Sequence, residues 1–308
     1  MSRYFNQSRR QVLDRALPTA PAKQADLSRV LQEVTQSVNI PETKRESFLG
    51  ACRKLRLPVG SDQPLMLSRS DIPAPAMESY RALRTRLMRI QEKQGLRSVI
   101  LSSASAREGK TLTSMNLALS CSRLDNYRVL VIDSDLRTRG LTRLLDDPGG
   151  PGLSDILAGK AEFEDGIMAT DNPNLYVLGA GSHSGQALEL YSGKQWKELM
   201  TWCTENFRLV IVDSPPILPV ADFEQIVGCC DGVLIVVRAY QTQRDLLKKM
   251  SARIDQKKLI GVIFNGVPAT DTSEYGKGYS AAYVAPAPVS KNEKEESPDE
   301  TGQVETLG

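Results

Sequence analysis

Glu108, Gly109, Lys110 and Thr111 stand in a row, with Leu112 next, where an apolar stretch gives way to a helical pattern. The wider segment, residues 103–119, reads SASAREGKTLTSMNLAL. Backbone N–H groups at a helix start offer donors and a positive dipole end to a phosphate. The pattern G-x-x-x-x-G-K-[ST] is met at Gly109, Lys110 and Thr111, but its first position is Ala104. Lys110 can reach terminal phosphates, and the Thr111 hydroxyl can join a magnesium shell. A lysine and a threonine would also suit an ordinary solvated first turn, so the motif needs company.

Two further segments supply it. RVLVIDSDLR delivers Asp133 and Asp135 at the end of an apolar run, with Arg137 beyond. Period-two geometry puts both aspartates on one side if the strand continues. Solvated turn aspartates are the plainer alternative. FRLVIVDSPP places Asp213 after another apolar run, and its two prolines stiffen the exit. One lysine, one hydroxyl and three carboxylates at the ends of three segments make a Mg–ATP site. The nucleotide is expected across Ala104, Ser105, Ala106, Arg107, Glu108, Gly109, Lys110, Thr111 and Leu112. Thr111, Asp213 and Asp133 are expected to hold the metal. Lys110 and one of Asp133 or Asp135 would carry the chemistry, the aspartate orienting or deprotonating an incoming hydroxyl.

Such loops need strands to carry them. Apolar runs predict strands at Arg97–Ser102, Arg128–Asp133, Leu175–Leu178, Phe207–Asp213, Gly232–Ala239 and Leu259–Val267. Helices are predicted from Met77 to Gln91, Lys110 to Leu124, Gly152 to Gly159, Lys194 to Asn206 and Gln243 to Ile254. Strands alternating with helices predict an α/β fold, a mostly parallel central sheet with helices on both faces. Ligands in such folds sit at the carboxyl ends of the strands.

Three regions follow. Residues 1–76 form a polar extension with short helices near Ser8–Ala16 and Lys23–Val38, a possible docking arm. DIPAPA, Asp71 to Ala76, reads as its boundary. Residues 77–272 make the α/β domain. Residues 273–308 change to a tyrosine- and glycine-rich stretch and then a proline-containing charged tail, a composition that predicts disorder. Trp196 and Trp202 read as core anchors, Tyr80 and Tyr191 as structural, and the single histidine, His183, as a loop residue without a catalytic part.

A net charge of +2 over 308 residues gives no case for nucleic acid. The five cysteines match neither a zinc site nor a secreted disulfide framework. No stretch reads as a signal peptide or a membrane span, so the expected place is the cytoplasm, with membrane attachment through a partner left open.

At its three motifs the sequence resembles the bacterial tyrosine autokinases of capsule and exopolysaccharide export, which are P-loop NTPases. Their Walker A loop ends EGK[ST], here Glu108 to Thr111; the next motif, D-x-D-x-R, is Asp133, Asp135 and Arg137; Walker B ends D-[ST]-P-P, here Asp213 to Pro216. The resemblance covers about Met77 to Tyr283. It implies ATP and Mg2+ as cofactors and C-terminal tyrosines, here Tyr275, Tyr279 and Tyr283, as phosphate acceptors. It implies a homo-oligomer, as a ring, packed through E-x-x-R-x-x-R, here Glu78, Arg81 and Arg84, though an ordinary charged helix face would also explain that spacing. A membrane polysaccharide co-polymerase as activator and a cognate tyrosine phosphatase follow as partners. Asn265 would touch the adenine or cap a turn, Arg238 would lie near the base, Asp222 would support the metal shell or cap a helix, and Arg137 would pair with a carboxylate or a partner subunit.

Departures are visible. Arg107 stands where relatives carry glycine; a left-handed φ there would strain it, and the alternative is a differently shaped loop in which Arg107 meets phosphate. Thr138 and Arg139 replace a common arginine and proline. Partitioning ATPases share this core but carry a lysine where Ser105 stands. Such an ATPase switch, a non-catalytic nucleotide-binding regulator of polysaccharide assembly, and a small-molecule kinase are the alternatives.

Overall fold

Val, Ile and Leu dominate the strand runs, and β-branched side chains pack well on a pleated surface. In the computed structural model, which describes residues 49–58, 67–69, 71–182 and 187–267, these runs form the centre of one sheet. The chain divides into two units, Met1–Gly266 and Val267–Gly308, and only Val267 of the second is described.

The first unit runs β1 (Arg53–Leu55), α1 (Ala74–Gln94), β2 (Ser98–Ser102), α2 (Lys110–Cys121), β3 (Val129–Asp133), α3 (Gly140–Leu144), α4 (Leu153–Leu157), β4 (Ile167–Thr170) and β5 (Leu175–Leu178). It continues with α5 (Ala187–Ser192), α6 (Lys194–Asn206), β6 (Leu209–Asp213), α7 (Asp222–Gly228), β7 (Gly232–Arg238), α8 (Arg244–Ser251) and β8 (Leu259–Asn265). The strands lie in the order β1-β4-β5-β3-β6-β2-β7-β8. Every pairing is parallel except β4 with β5.

The sheet is covered on both faces, as period-two burial requires. Val99, Leu101, Val129, Val131, Leu209 and Ile211 point to one side, where α1, α2 and α3 pack. Ile100, Leu130, Ile132, Val210 and Val212 point to the other, beneath α4 to α8. Trp196 and Tyr191 are buried in this second layer as expected, while Trp202 is only half-buried.

Two strands escaped the sequence reading. β4 runs antiparallel beside β5, and β1 adds to β4 at the sheet's edge, with Lys54 opposite Ala169. Residues expected to belong to a separate extension therefore complete the sheet. The Arg53 guanidinium also donates to the carbonyls of Gly149 and Pro151. Helix α1 starts at Ala74, earlier than Met77, because Pro75 fits a helix's first turn, where no N–H is required. It ends at Gly95, whose φ of 68° lets its N–H reach Gln91 O at 2.8 Å. Segments 8–16 and 23–38, His183 and the three tail tyrosines lie outside the described residues. No described helix is long and apolar enough to cross a membrane.

Candidate functional site

Three loops meet at the carboxyl ends of β2, β3 and β6. The first leaves β2 and enters α2 at Lys110. Gly109 has φ 93°, and a side chain there would fall on the Asn265 amide, so only glycine fits. Arg107 has φ 63°, the strained left-handed backbone of the two alternatives the sequence left open, at a cost of about 1–2 kcal/mol. Its side chain is exposed, as is Ala106, whereas Ala104 is buried and Ser105 partly so. Leu112 turns partly into the apolar layer beneath α2. Lys110 is only 8 % exposed. Burial lowers its pKa, and the charges of Asp213, Asp135 and Glu108 oppose that shift.

Strands β3 and β6 end level, with Asp133 opposite Asp213. Asp213 accepts a hydrogen bond from Thr111, and Ser114 Oγ donates to its Oδ1 at 3.1 Å. Burial lifts its carboxyl to about 7; the Asp133 charge pushes the same way, against Thr111, Lys110 and Ser114. Asp133 Oδ2 accepts from Thr142 N at 2.8 Å and Thr142 Oγ1 at 2.7 Å. Its Oδ1 is buried without a partner. Burial raises this carboxyl to about 6, with the Asp135 charge adding to the shift and the Thr142 bonds opposing it. The start of α3 closes over Thr111: a side chain at Gly140 would lie 3.0 Å from Thr111 Oγ1.

The strand stops at Asp133, so Asp135 does not continue its alternation. Both Asp135 oxygens instead hold a turn, accepting from Thr138 N at 3.0 Å and Thr138 Oγ1 at 2.6 Å. Arg137 pairs with a carboxylate: its Nε and Nη2 donate to Asp222 at 3.0 and 3.3 Å. Asn265 spends its amide on the phosphate loop, donating to Glu108 O at 2.9 Å. The Arg238 guanidinium lies against Gly266, next in sequence to Asn265. On α1, Glu78 and Arg81 form an exposed pair at 3.3 Å, whereas Arg84 turns inward and donates to Ser120 O at 2.7 Å.

The structure thus gathers Lys110, Thr111, Asp133 and Asp213 and seats Asp135 in the adjoining turn. Ser114 and Thr142 were missed, and Tyr191, read as structural, also supports a loop of the site. Ser114 lies three residues past Thr111, on the same helix face, so helical spacing would have found it. Tyr191 Oη donates to Ser134 O at 2.7 Å, and Ser134 N and Oγ each reach Asp213 O at 2.8 Å. No local signal marks a bond of that range.

Among the described residues no three His, Cys, Asp or Glu side chains gather into a metal cage. Magnesium does not need one, since it takes one or two carboxylates beside phosphate and water oxygens. The orphaned Asp133 oxygen, Asp213 and the Thr111 hydroxyl fit that demand.

Residues 103–259 match the AAA domain family. The chain is 32 % identical over 201 residues to Tyrosine-protein kinase YwqD of Bacillus subtilis, covering 65 % of this chain and 84 % of that protein. The chain belongs to the bacterial tyrosine-kinase family. Tyrosine-protein kinase ptk of Acinetobacter johnsonii is 33 % identical over 204 residues, 66 % of this chain but 27 % of that longer protein. The kinase domain of the Escherichia coli tyrosine kinase ETK superposes with a TM-score of 0.60 at 28 % identity, covering 69 % of this chain and 89 % of that one. The chimerical protein CapA2B2 gives 0.62 at 27 % identity, covering 74 % and 100 %. The P-loop NTPase fold of this bacterial tyrosine-kinase chain is thereby shown alongside its family.

Proposed function

We propose that the chain binds Mg–ATP across residues 104–112 and transfers the γ-phosphoryl group to a tyrosine of a neighbouring copy. The observation that carries this reading is the meeting of Lys110, Thr111, Asp133 and Asp213 at one sheet edge, with one Asp133 oxygen buried and unpartnered. Lys110 neutralises the β- and γ-phosphates. Thr111 and Asp213 would hold magnesium, which when bound draws charge off the phosphate oxygens, and the unpartnered Asp133 oxygen is left to take a proton. A tyrosine hydroxyl has a pKa of about 10 and attacks poorly without a proton acceptor. Asp133 suits that part better than Asp135, whose oxygens both hold the turn to Thr138. The tyrosine oxygen bonds to phosphorus, the bond to the β-phosphate oxygen breaks, and ADP leaves. Arg238 and Asn265 border the adenine side.

The acceptors are Tyr275, Tyr279 and Tyr283. Presentation to a neighbour requires an assembly, and Glu78 and Arg81 are the exposed part of its contact. The activator is a cytoplasmic segment of a membrane polysaccharide co-polymerase, and a tyrosine phosphatase reverses the modification. The output is control of exopolysaccharide or capsule assembly at the inner face of the membrane. Incubating the purified chain with Mg–ATP and mapping phosphate by mass tests the core of this reading. Phosphate on the tail tyrosines, absent in Lys110→Met, is expected. Equal labelling of the Lys110→Met chain would remove the assignment.

A further inference from the structure

Groups outside every motif hold the phosphate loop from its flank. Glu108 is 5 % exposed. Its Oε1 accepts from Thr242 Oγ1 at 2.9 Å, while Oε2 is buried without a partner. Thr242 belongs to the turn between β7 and α8, where its N–H donates to Arg238 O at 3.1 Å. Its hydroxyl oxygen accepts the Arg238 N–H at 3.0 Å, which orients the single hydroxyl proton towards Glu108. Asn265 grips the same residue by its carbonyl. A buried carboxylate thus stands in the loop that receives an anion. Its charge is felt by Lys110, the cation that loop presents.

We propose that Thr242 is a positioning residue for nucleotide binding: its hydroxyl anchors the Glu108 carboxylate to the β7–α8 turn and keeps it from competing with phosphate for Lys110. The inference rests on the Mg–ATP reading of the site. Thr242 itself touches no phosphate. Hydrogen bonds to an ionised acceptor are stronger than neutral ones, and removing the donor leaves a buried charge that must find another partner. Lys110 belongs to the same loop and already feels the Glu108 charge. Once paired with Glu108, Lys110 is lost to the β- and γ-phosphates.

The test is calorimetric binding of Mg–ATP, and separately of magnesium tripolyphosphate, to the full chain and to Thr242→Val, Thr242→Ser, Glu108→Gln and the Thr242→Val/Glu108→Gln double variant. Melting curves confirm that each is folded. Thr242→Val is expected to weaken both ligands about tenfold, and Thr242→Ser to stay within about twofold of the parent. The double variant is expected to recover most of the loss, because the competing charge is gone. A turn that had merely collapsed would not be rescued by Glu108→Gln. Parent-like binding by Thr242→Val, or a double variant as weak as the single, would overturn the proposal and leave the site's reading intact. A parent chain that bound neither ligand would overturn both.

Discussion

Asp133 and Asp213 sit opposite one another on adjacent strands, each almost fully buried. Two carboxylates so placed resist joint ionisation, and desolvation adds to the resistance. Their folded pKa values, about 6 and about 7, lie above the ordinary carboxylate value of about 4. A raised carboxylate stabilises the fold fully below its unfolded pKa, and that contribution is lost as pH climbs through the folded one. Metal-free protein should therefore lose stability from these two groups between about pH 4 and pH 7. Asp213→Asn keeps the shape and removes the charge. In EDTA its melting temperature, relative to the parent, should rise from about pH 5 to about pH 8 by roughly 5 °C. A difference independent of pH would show that Asp213 carries no such penalty.

At the scale of elements, the site's loops are fixed by what lies under them. Helix α5 brings Tyr191 beneath the loop after β3, where its hydroxyl holds Ser134 O and its ring meets Trp196 edge-on at 5.4 Å. Tyr191→Phe should retain the packing and lose the bond. A cost of about 1 kcal/mol is expected in chemical denaturation, together with a raised KM for ATP as the Asp133–Asp135 loop loosens. An unchanged midpoint and KM would mean that Ser134 is held by its own bonds to Asp213. The same contrast explains what could be read from the sequence. β2, β3 and β6 are apolar runs of ordinary length with their aspartates or glycine-lysine signal beyond them, so both strand and site residue were legible. β1 and β4, RKL and IMAT, lack the unbroken apolar run that marked β5, LYVL, at the same four-residue length as β4. Thr142 and Thr242 act on residues to which only the folded chain brings them. The motif marked Arg107 as the position to watch, and the structure decides for its left-handed alternative.

For the whole molecule, the proposed contact between copies would lie on the exposed face of α1. Glu78 and Arg81 are available on it, whereas Arg84 is already used inside the protomer. Arg81→Glu should therefore disrupt assembly without unfolding the chain, and Arg84→Ala should lower stability as well. Light scattering with melting curves separates the two: an Arg81→Glu chain that keeps the parent's oligomeric state would remove α1 from the contact.

The short strand β1 has a consequence of its own. It covers the flank of β4, the one strand that runs against its neighbour, and it comes from a stretch well before the nucleotide loop. A version of this protein trimmed to begin at α1 would keep every proposed site residue and still leave the backbone of three β4 residues, Met168 to Thr170, bare at the sheet's border. Bare borders recruit strands from other molecules. Poor solubility of such a fragment would then reflect a missing hem, with the chemistry of the site untouched.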